Sequence, residues 1–544
     1  MNMQADFDVV VVGGNADGLI LAASLAESGR KVVLLESDMK VGGELLTESF
    51  LTSHRYDLSG GWQLNNSLAQ LDVSGFEENH KRLLFPEIPL AFMFEKQAPL
   101  FFYRSLEHFQ SQLTRSDSNK LAGLFGLGED LYTAIHDRFT LGMSAGKIVG
   151  NQLSDLSKKT VKQLVNDYDF EDQRLRCALT YLPLALGYDI ELPGSAAALA
   201  FSLYGITRLS VVDGGSGLLV NSLADRMIVK QGMIIESAKI VGVSRKKAEK
   251  KSIELEDGRV FSAPTIVFAK AGYVDAEIGT PNLHKNSLGV YRIYLDFSRS
   301  PTGFNPPVGN DDMLRQAYMV SFGFNREEDI YHYLKMIKAG QPPFIGGHVI
   351  SNSFLNTANP VGVMRSLQQP LWRTSCHTTD PVKLKQQVTK ASNIQVESSA
   401  RVKMIGTSDL LEADDLGHHE LPPVSIRPVP GSLIWQGVLP LQMRTLDTEG
   451  FRKSFERACI ERISKAINGV NLDNLRFRLT WLANETKEPM LEINLIDMLT
   501  KKKSDNDYMT RTPGIYTNPY ASLSRFTGMR SGQKLYSVLK DRLT

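Results

Sequence analysis

The first 36 residues contain the feature that most constrains the fold of this chain: two apolar runs that flank a glycine turn and a helical segment. Residues 7–12 read FDVVVV, a β-branched run typical of a strand that is buried on both faces of a parallel sheet. Residues 18–29 carry apolar side chains at helical spacing and end in a glycine, and residues 31–35 form the second apolar run. This order of elements predicts a βαβ unit of the doubly wound α/β type.

The turn between the first run and the helical segment has the spacing of a dinucleotide-binding loop. Gly13 and Gly14 permit a tight turn, and Gly18 lets the helix pack closely while its N-terminus faces a pyrophosphate. Glu36 ends the second run, where a carboxylate accepts hydrogen bonds from ribose hydroxyls and disfavours the 2′-phosphate of NADP. Asn15 replaces the middle glycine. Asparagine tolerates a left-handed backbone, and its amide can donate to a phosphate.

Two segments after the βαβ unit extend the pattern. Residues 41–47 read VGGELLT, and residues 56–62 read YDLSGGW. With the preceding unit, they resemble the FAD-binding fold of phytoene desaturases, amine oxidases and protoporphyrinogen oxidases. The resemblance implies that the first glycine pair lies against FAD and that the second approaches the flavin ring. The residues that would contact FAD in these segments are Gly42, Gly43, Thr47, Gly60 and Gly61.

The middle and the end of the chain add two more segments to the resemblance. Residues 212–217 read VDGGSG and lead into a helical pattern, as in the phytoene desaturase-like proteins. In those proteins a following strand places its backbone against adenine, and Ile240 and Val241 are the matching positions. Residues 513–518 predict a short strand, and the resemblance implies that a turn at Gly528 closes over the pyrophosphate.

The rest of the 544 residues divides into a helical and a β-rich part, and the length predicts two or three domains. Residues 66–200 look largely helical, because apolar residues recur at three- and four-residue spacing. Residues 285–450 alternate β-like runs with Pro/Gly loops. Before this region, Asp257-Gly258 predicts a hairpin turn. The strand candidates are GVYRIYLDF, AYMVSFGF, FIGGHVIS and SLIWQGVLP. The predicted α/β organisation is a Rossmann-like FAD-binding domain (1–65, 201–284 and 506–544), a helical cap (66–200) and a mixed-sheet substrate domain (285–505).

Composition excludes several classes of function. A net charge of +1 argues against a nucleic-acid partner, which requires a basic surface. The three cysteines are far apart, so we predict neither a disulfide framework nor a metal site, and a reducing cytoplasm fits best. The apolar stretch 181–206 is interrupted by acids and a proline, which makes a membrane span improbable and leaves contact with a membrane surface open.

The leading functional hypothesis is an FAD-dependent desaturase or dehydrogenase. It would transfer a hydride from a lipophilic or polyunsaturated, carotenoid-like small molecule to N5 of the flavin. One alternative is an amine or amino-acid oxidase with the same fold. A second alternative, favoured by Asn15 and by Glu44 where many relatives carry arginine, is a flavin-free binding or chaperone module. The sequence identifies no catalytic residue, no electron acceptor and no oligomeric state.

Overall fold

The structure is a computed structural model. It describes residues 4–48, 56–58, 62–63, 83–140, 147–212, 214–244, 251–269, 288–298, 301–306, 308–309, 311–339, 346–351, 432–440, 449–481, 514–517, 530–540 and 542.

The strands are numbered in chain order. Up to residue 63 they are β1 (Gln4–Asp6), β2 (Val9–Val12), β3 (Val32–Leu35), β4 (Thr47–Glu48), β5 (Tyr56–Asp57) and β6 (Trp62–Gln63). Next come β7 (Leu83–Leu84), β8 (Ile88–Met93), β9 (Leu100–Phe102), β10 (Ser210–Val212), β11 (Met233–Ile235), β12 (Ile240–Ser244), β13 (Lys251–Leu255), β14 (Val260–Ala263) and β15 (Thr265–Phe268). The last described strands are β16 (Leu288–Phe297), β17 (Gly303–Phe304), β18 (Ala317–Phe322), β19 (Gly347–Ser351), β20 (Ser432–Pro440), β21 (Ile467–Asn468), β22 (Leu475–Trp481) and β23 (Ile515–Thr517).

The α-helices follow the same numbering. Up to residue 206 they are α1 (Ala16–Glu27), α2 (Leu106–Gln110), α3 (Arg115–Thr140), α4 (Lys147–Leu156), α5 (Val161–Tyr168), α6 (Gln173–Ala185) and α7 (Ser195–Ile206). The others are α8 (Gly217–Val229), α9 (Glu327–Lys338), α10 (Glu449–Ala466) and α11 (Arg530–Lys540). Within the described part of the chain, no helix combines the length and the apolar character that crossing a bilayer requires.

A five-stranded parallel sheet contains the N-terminal βαβ unit, in the order β11-β3-β2-β15-β23. Helices α1, α8 and α11 pack against one face, and the smaller sheet β1-β14-β13-β12 packs against the other. β2 is buried along its whole length because both faces of the sheet are covered. The structure therefore confirms the βαβ unit, and a hairpin with Gly258 at φ 81° joins β13 to β14 as predicted.

A seven-stranded mixed sheet forms the other half, in the order β22-β16-β20-β19-β18-β8-β9. The four strand candidates are confirmed as β16, β18, β19 and β20. Neighbouring strands are antiparallel, apart from the parallel pair β18 and β8. One face packs against α3 to α7 and α9, and the other packs against α10. Side chains along each strand alternate between these two cores.

The prediction that residues 66–200 are largely helical is wrong for the segment 83–102. This segment forms β7, β8 and β9, and β8 and β9 complete the edge of the large sheet. Leu90 and Phe92 face the helical core, whereas Ala91 and Met93 face α10. A strand that is buried on both faces shows no polar alternation, so its pattern does not distinguish it from a buried helix. The helical prediction holds for α3 and α6, and α2 adds a short helix at Leu106–Gln110.

Candidate cofactor site and the adjoining sheet face

Two glycine turns meet at the carboxyl end of the parallel sheet. The N–H of Gly42 donates to the carbonyl of Gly14 at 2.6 Å. A Cβ atom at Gly14 would lie 2.6 Å from Cγ1 of Val41, and one at Gly18 would lie 2.0 Å from the carbonyl oxygen of Gly13. Both distances are too short for any side chain, so glycine is required at these two positions. The close packing predicted for Gly18 is thus a contact between α1 and the end of β2.

Asn15 has a different role from the one that its position suggests. Its backbone is extended, with φ −71° and ψ 177°, so the explanation by a left-handed conformation is wrong. Oδ1 of Asn15 accepts a hydrogen bond from the N–H of Gly18 at 3.0 Å, and Nδ2 donates to the carbonyl of Ala269 at 3.2 Å. Asn15 is therefore the N-cap of α1 and connects β2 with β15, and its amide nitrogen is already engaged within the protein.

Glu36 lies at the end of β3, next to the same turn, and is buried. Its carboxylate accepts hydrogen bonds from the N–H of Gly14 at 2.6 Å, the N–H of Asp38 at 2.9 Å and the hydroxyl of Ser37 at 3.1 Å. These contacts hold the carboxylate at the edge of the pyrophosphate turn. An anchored acceptor at this place suits the hydroxyls of a ribose.

Thr47 and Asp57 join three separate parts of the chain, and the role of Asp57 is not evident from the sequence alone. The fully buried Asp57 carboxylate accepts hydrogen bonds from the hydroxyl of Thr47 and from the N–H and the hydroxyl of Ser216, the latter at 3.0 Å. The hydroxyl of Thr47 accepts from the N–H of Gly217 at 2.8 Å. Asp57 thereby fixes the first turn of α8, a helix N-terminus whose positive end favours a carboxylate. The signal in the sequence was the position of Asp57 inside segment 56–62, which carries part of the resemblance to the FAD-binding fold.

The other predicted contact residues divide into two groups. Gly43 has a φ of 53° and lies beside Asn15. A Cβ atom added to Gly43 would be 3.3 Å from the Cβ atom of Asn15. Ile240 begins the edge strand β12, and the side chain of Val241 is 61% exposed. Any contact of Ile240 and Val241 with the cofactor would therefore be made by their backbone atoms. Three predicted positions lie outside the described residues: Gly60, Gly61 and Gly528.

The residues at this edge of the sheet fit FAD. The glycine positions form a cradle that a Cβ atom would fill, and α1 begins directly behind it. The first N–H groups of a helix have no partner within the helix itself, and the start of α1, where Asn15 caps the N–H of Gly18, suits a pyrophosphate. The anchored carboxylate of Glu36 would suit the adenosine ribose as a hydrogen-bond acceptor. The described residues include no cluster of histidine, cysteine or acidic side chains that could hold a metal.

The segment that follows Asp57 leads from this site to the large sheet. The hydroxyl of Tyr294, on β16, donates to the carbonyl of Leu58 at 2.6 Å, and that of Tyr56 donates to the carbonyl of Leu295 at 3.2 Å. The rings of Tyr56 and Tyr294 pack edge to face, 5.6 Å apart. Tyr294 thus lies beside the segment whose glycines are predicted to approach the flavin ring.

One rung of the large sheet carries polar side chains on its helical face. Arg292, Gln436, His348 and Ser321 lie opposite one another on β16, β20, β19 and β18. Nε of Arg292 donates to Oε1 of Gln436 at 2.8 Å. Nδ1 of His348 lies 3.0 Å from the hydroxyl of Tyr181 on α6. Burial, and secondarily the charge of Arg292, lower the pKa of His348 to about 3.

These four residues, which we call the polar rung, were not predicted from the sequence. A signal existed, because arginine, histidine and glutamine interrupt strands that otherwise read as buried. The register that aligns them cannot be read from separate strands.

Comparisons with known proteins agree with this geometry. Residues 11–72 match the family model described as an NAD(P)-binding Rossmann-like domain. One of the subunits of a limonene dehydrogenase from Castellaniella defragrans is 23% identical over 274 residues, which is 46% of each chain. The alignment thus spans just under half the length of that relative. Putrescine oxidase bound to putrescine is 11% identical, with a TM-score of 0.58 over 99% of this chain and 100% of that one. Cyclohexylamine oxidase from Brevibacterium oxydans is 13% identical, with a TM-score of 0.52 and the same coverage.

Fold and site together define the class of this protein. It has the α/β fold of the amine oxidases, one of the FAD-binding groups that the sequence resembles. The predicted Rossmann-like fold class is therefore confirmed. The matches also agree with the predictions of an oxidoreductase and of FAD as its cofactor. They support the wider FAD-dependent superfamily and do not single out the phytoene desaturase-like proteins within it.

Proposed function

We propose that this protein is an FAD-dependent dehydrogenase that acts on a small, predominantly apolar molecule. The observation that carries the proposal is the position of Tyr294, which links the cofactor edge to the apolar helical face of the large sheet. Phe92, Phe324 and Tyr181 form a connected aromatic cluster on that face. The similarity to part of a limonene dehydrogenase supports an apolar substrate. Carotenoid-like polyenes belong to the same proposed class.

The chain's own residues would bind the cofactor and orient the substrate. Gly13, Gly14 and the start of α1 would hold the pyrophosphate, and Glu36 would hold the ribose. FAD, when bound, supplies the acceptor for a hydride removed from the substrate. The buried aromatic side chains would exclude water and bind an apolar skeleton. Tyr294 would fix the backbone at Leu58, beside the cofactor edge. We also propose the domain division predicted above, with residues 1–65, 201–284 and 506–544 as the cofactor domain.

An amine oxidase is the second candidate, because the structural similarity to putrescine oxidase and cyclohexylamine oxidase extends over nearly the whole chain. One observation favours the apolar substrate over it. Arg292 is buried on the face that would receive the substrate, and its positive charge disfavours a protonated amine nearby. A cytoplasmic location and contact with a membrane surface stay predictions.

The test begins with the visible absorbance of the purified protein and the identification of any released chromophore. We expect the spectrum of bound FAD, or its appearance after FAD is added to the colourless protein. Anaerobic mixing with limonene, putrescine or cyclohexylamine should then bleach the flavin with the hydrocarbon alone. Bleaching by the amines would favour the second candidate. A protein that binds no FAD under any of these conditions would refute both and favour the flavin-free alternative.

A further inference from the structure

The polar rung contains a buried atom whose hydrogen bond is missing. His348 is 1% exposed, and its Nε2 has no hydrogen-bond partner among the described residues. Its other ring nitrogen is engaged with Tyr181. A buried polar atom without a partner loses the hydrogen bonds that water gave it in the unfolded chain, so such atoms are rare in native proteins and require an explanation.

Both tautomers of His348 leave Nε2 with an unmet requirement. The low pKa of His348, about 3, keeps the imidazole neutral, so only one ring nitrogen carries hydrogen. When the hydroxyl of Tyr181 donates to Nδ1, Nε2 carries the hydrogen and needs an acceptor. When Nδ1 donates to Tyr181, Nε2 needs a donor. A hydroxyl group both donates and accepts, so it satisfies Nε2 in either tautomer.

We propose that His348, with Arg292, forms a subsite that binds the hydroxyl group of an otherwise apolar substrate. The inference rests on the proposed function and deepens it: among molecules with the same apolar skeleton, those that carry a hydroxyl group would bind more tightly than the hydrocarbon. Arg292 is 2% exposed and its charge acts on His348, so it attracts the oxygen of a hydroxyl and disfavours an ammonium group. A hydrocarbon leaves Nε2 without a partner and gains nothing from this subsite.

The subsite would also fix the orientation of the substrate. Arg292 and Tyr294 are two residues apart on β16, so their side chains lie on the same face, about 7 Å apart along the strand. A hydroxyl held at His348 directs the skeleton along this face toward Tyr294 and Leu58. The carbon presented to the cofactor edge is then set by its distance from the hydroxyl.

The test measures binding without turnover, by calorimetry on the flavin-loaded protein. The probes share one skeleton: methylcyclohexane, cyclohexylmethanol and cyclohexylmethylamine. We expect the alcohol to bind about tenfold more tightly than either of the others, which is the size of one buried hydrogen bond. His348→Leu should abolish this preference, and His348→Gln, which keeps a donor and an acceptor, should retain part of it. His332→Gln on the exposed side of α9 is the matched control and should change nothing.

Three outcomes would overturn the subsite: equal dissociation constants for the three probes, no measurable binding of the alcohol, or a preference that survives His348→Leu. Tighter binding of the amine would overturn it and favour the amine oxidase candidate. Because the probe comparison uses the unaltered protein, it decides the matter even where His348→Leu does not fold. Flavin content and anaerobic bleaching by hydrocarbons are separate measurements. A protein that passes both and fails the probe comparison retains the proposed function and loses only the subsite.

Discussion

The carboxylate of Asp57 accepts a hydrogen bond from the backbone N–H of Ser216 at 3.1 Å, although 159 residues separate the two in the chain. The same carboxylate also accepts from the hydroxyl of Thr47, which in turn accepts from the N–H of Gly217. One buried acid therefore links its own segment, the segment that ends at Thr47 and the start of α8. All three segments belong to the predicted FAD-binding pattern.

Asp57→Asn should weaken both folding and FAD binding. An amide nitrogen that replaces one carboxylate oxygen cannot accept a hydrogen bond, so donors around the fully buried Asp57 lose their partner. We expect a loss of about 2–4 kcal/mol in the free energy of unfolding and a clear rise in the dissociation constant of FAD. Asp130→Asn, on the exposed side of α3, is the control. Equal melting temperatures and FAD affinities for the two variants would contradict the assigned role.

Gly18→Ala and Gly126→Ala make the same chemical change in two helices and should have opposite effects. A Cβ atom at Gly18 meets the carbonyl oxygen of Gly13 at 2.0 Å, whereas one at Gly126 in α3 meets nothing within 4 Å. Gly18→Ala must push α1 away from β2, and we expect a loss of about 1–3 kcal/mol together with lost FAD binding. Gly126→Ala should stabilise the protein by about 0.5–1 kcal/mol. Thermal unfolding and flavin content measure both effects, and a stable, yellow Gly18→Ala variant would disprove the close contact.

Asn15→Gly restores the usual glycine of the dinucleotide-binding loop and tests whether Asn15 weakens FAD binding. Because Asn15 caps α1 and donates to the carbonyl of Ala269, its loss should destabilise the protein modestly. We expect a cost of a few tenths of a kcal/mol for the glycine and about 1 kcal/mol for Asn15→Ala, with FAD still bound by both variants. FAD titration of the apoprotein gives the affinities. A large gain in affinity for Asn15→Gly would show that asparagine obstructs the cofactor.

The sequence predicted the cofactor half better than the substrate half, for a physical reason. Strand, glycine turn, helix and acid are contiguous in residues 7–36, so local rules fix their arrangement. The roles of Asp57 and Asn15 depend on partners at Ser216 and Ala269, which are distant in the chain. The sequence of β8 predicts part of a helical region because both faces of the strand are buried and its residues show no polar alternation.

The polar rung likewise depends on strand pairing between residues that are distant in the chain. Arg292, Gln436 and His348 each interrupt an apolar strand, and sequence alone reports three isolated exceptions. They become one cluster only when the pairing of β16, β20 and β19 is known. Register in this sheet is set by long-range packing, so no local pattern could have aligned them.

The buried neutral His348 should make the protein less stable as the pH falls. Its pKa is lowered to about 3 in the folded protein, against 6.5 as the ordinary value. Between these values the unfolded chain binds a proton that the folded protein does not, so stability rises with pH in this window and is lost as the pH falls. From pH 7 to pH 5 this residue should cost about 2 kcal/mol.

His348→Gln isolates this contribution, because glutamine does not titrate. The stability that the wild-type protein loses between pH 7 and pH 5, measured by denaturant unfolding, should exceed the loss of the variant by about 2 kcal/mol. His332→Gln, at an exposed position on α9, is the control for the chemical change itself. Parallel pH profiles for wild type and His348→Gln would mean that His348 is not held neutral in the folded protein, and the tautomer argument for the hydroxyl subsite would fail with it.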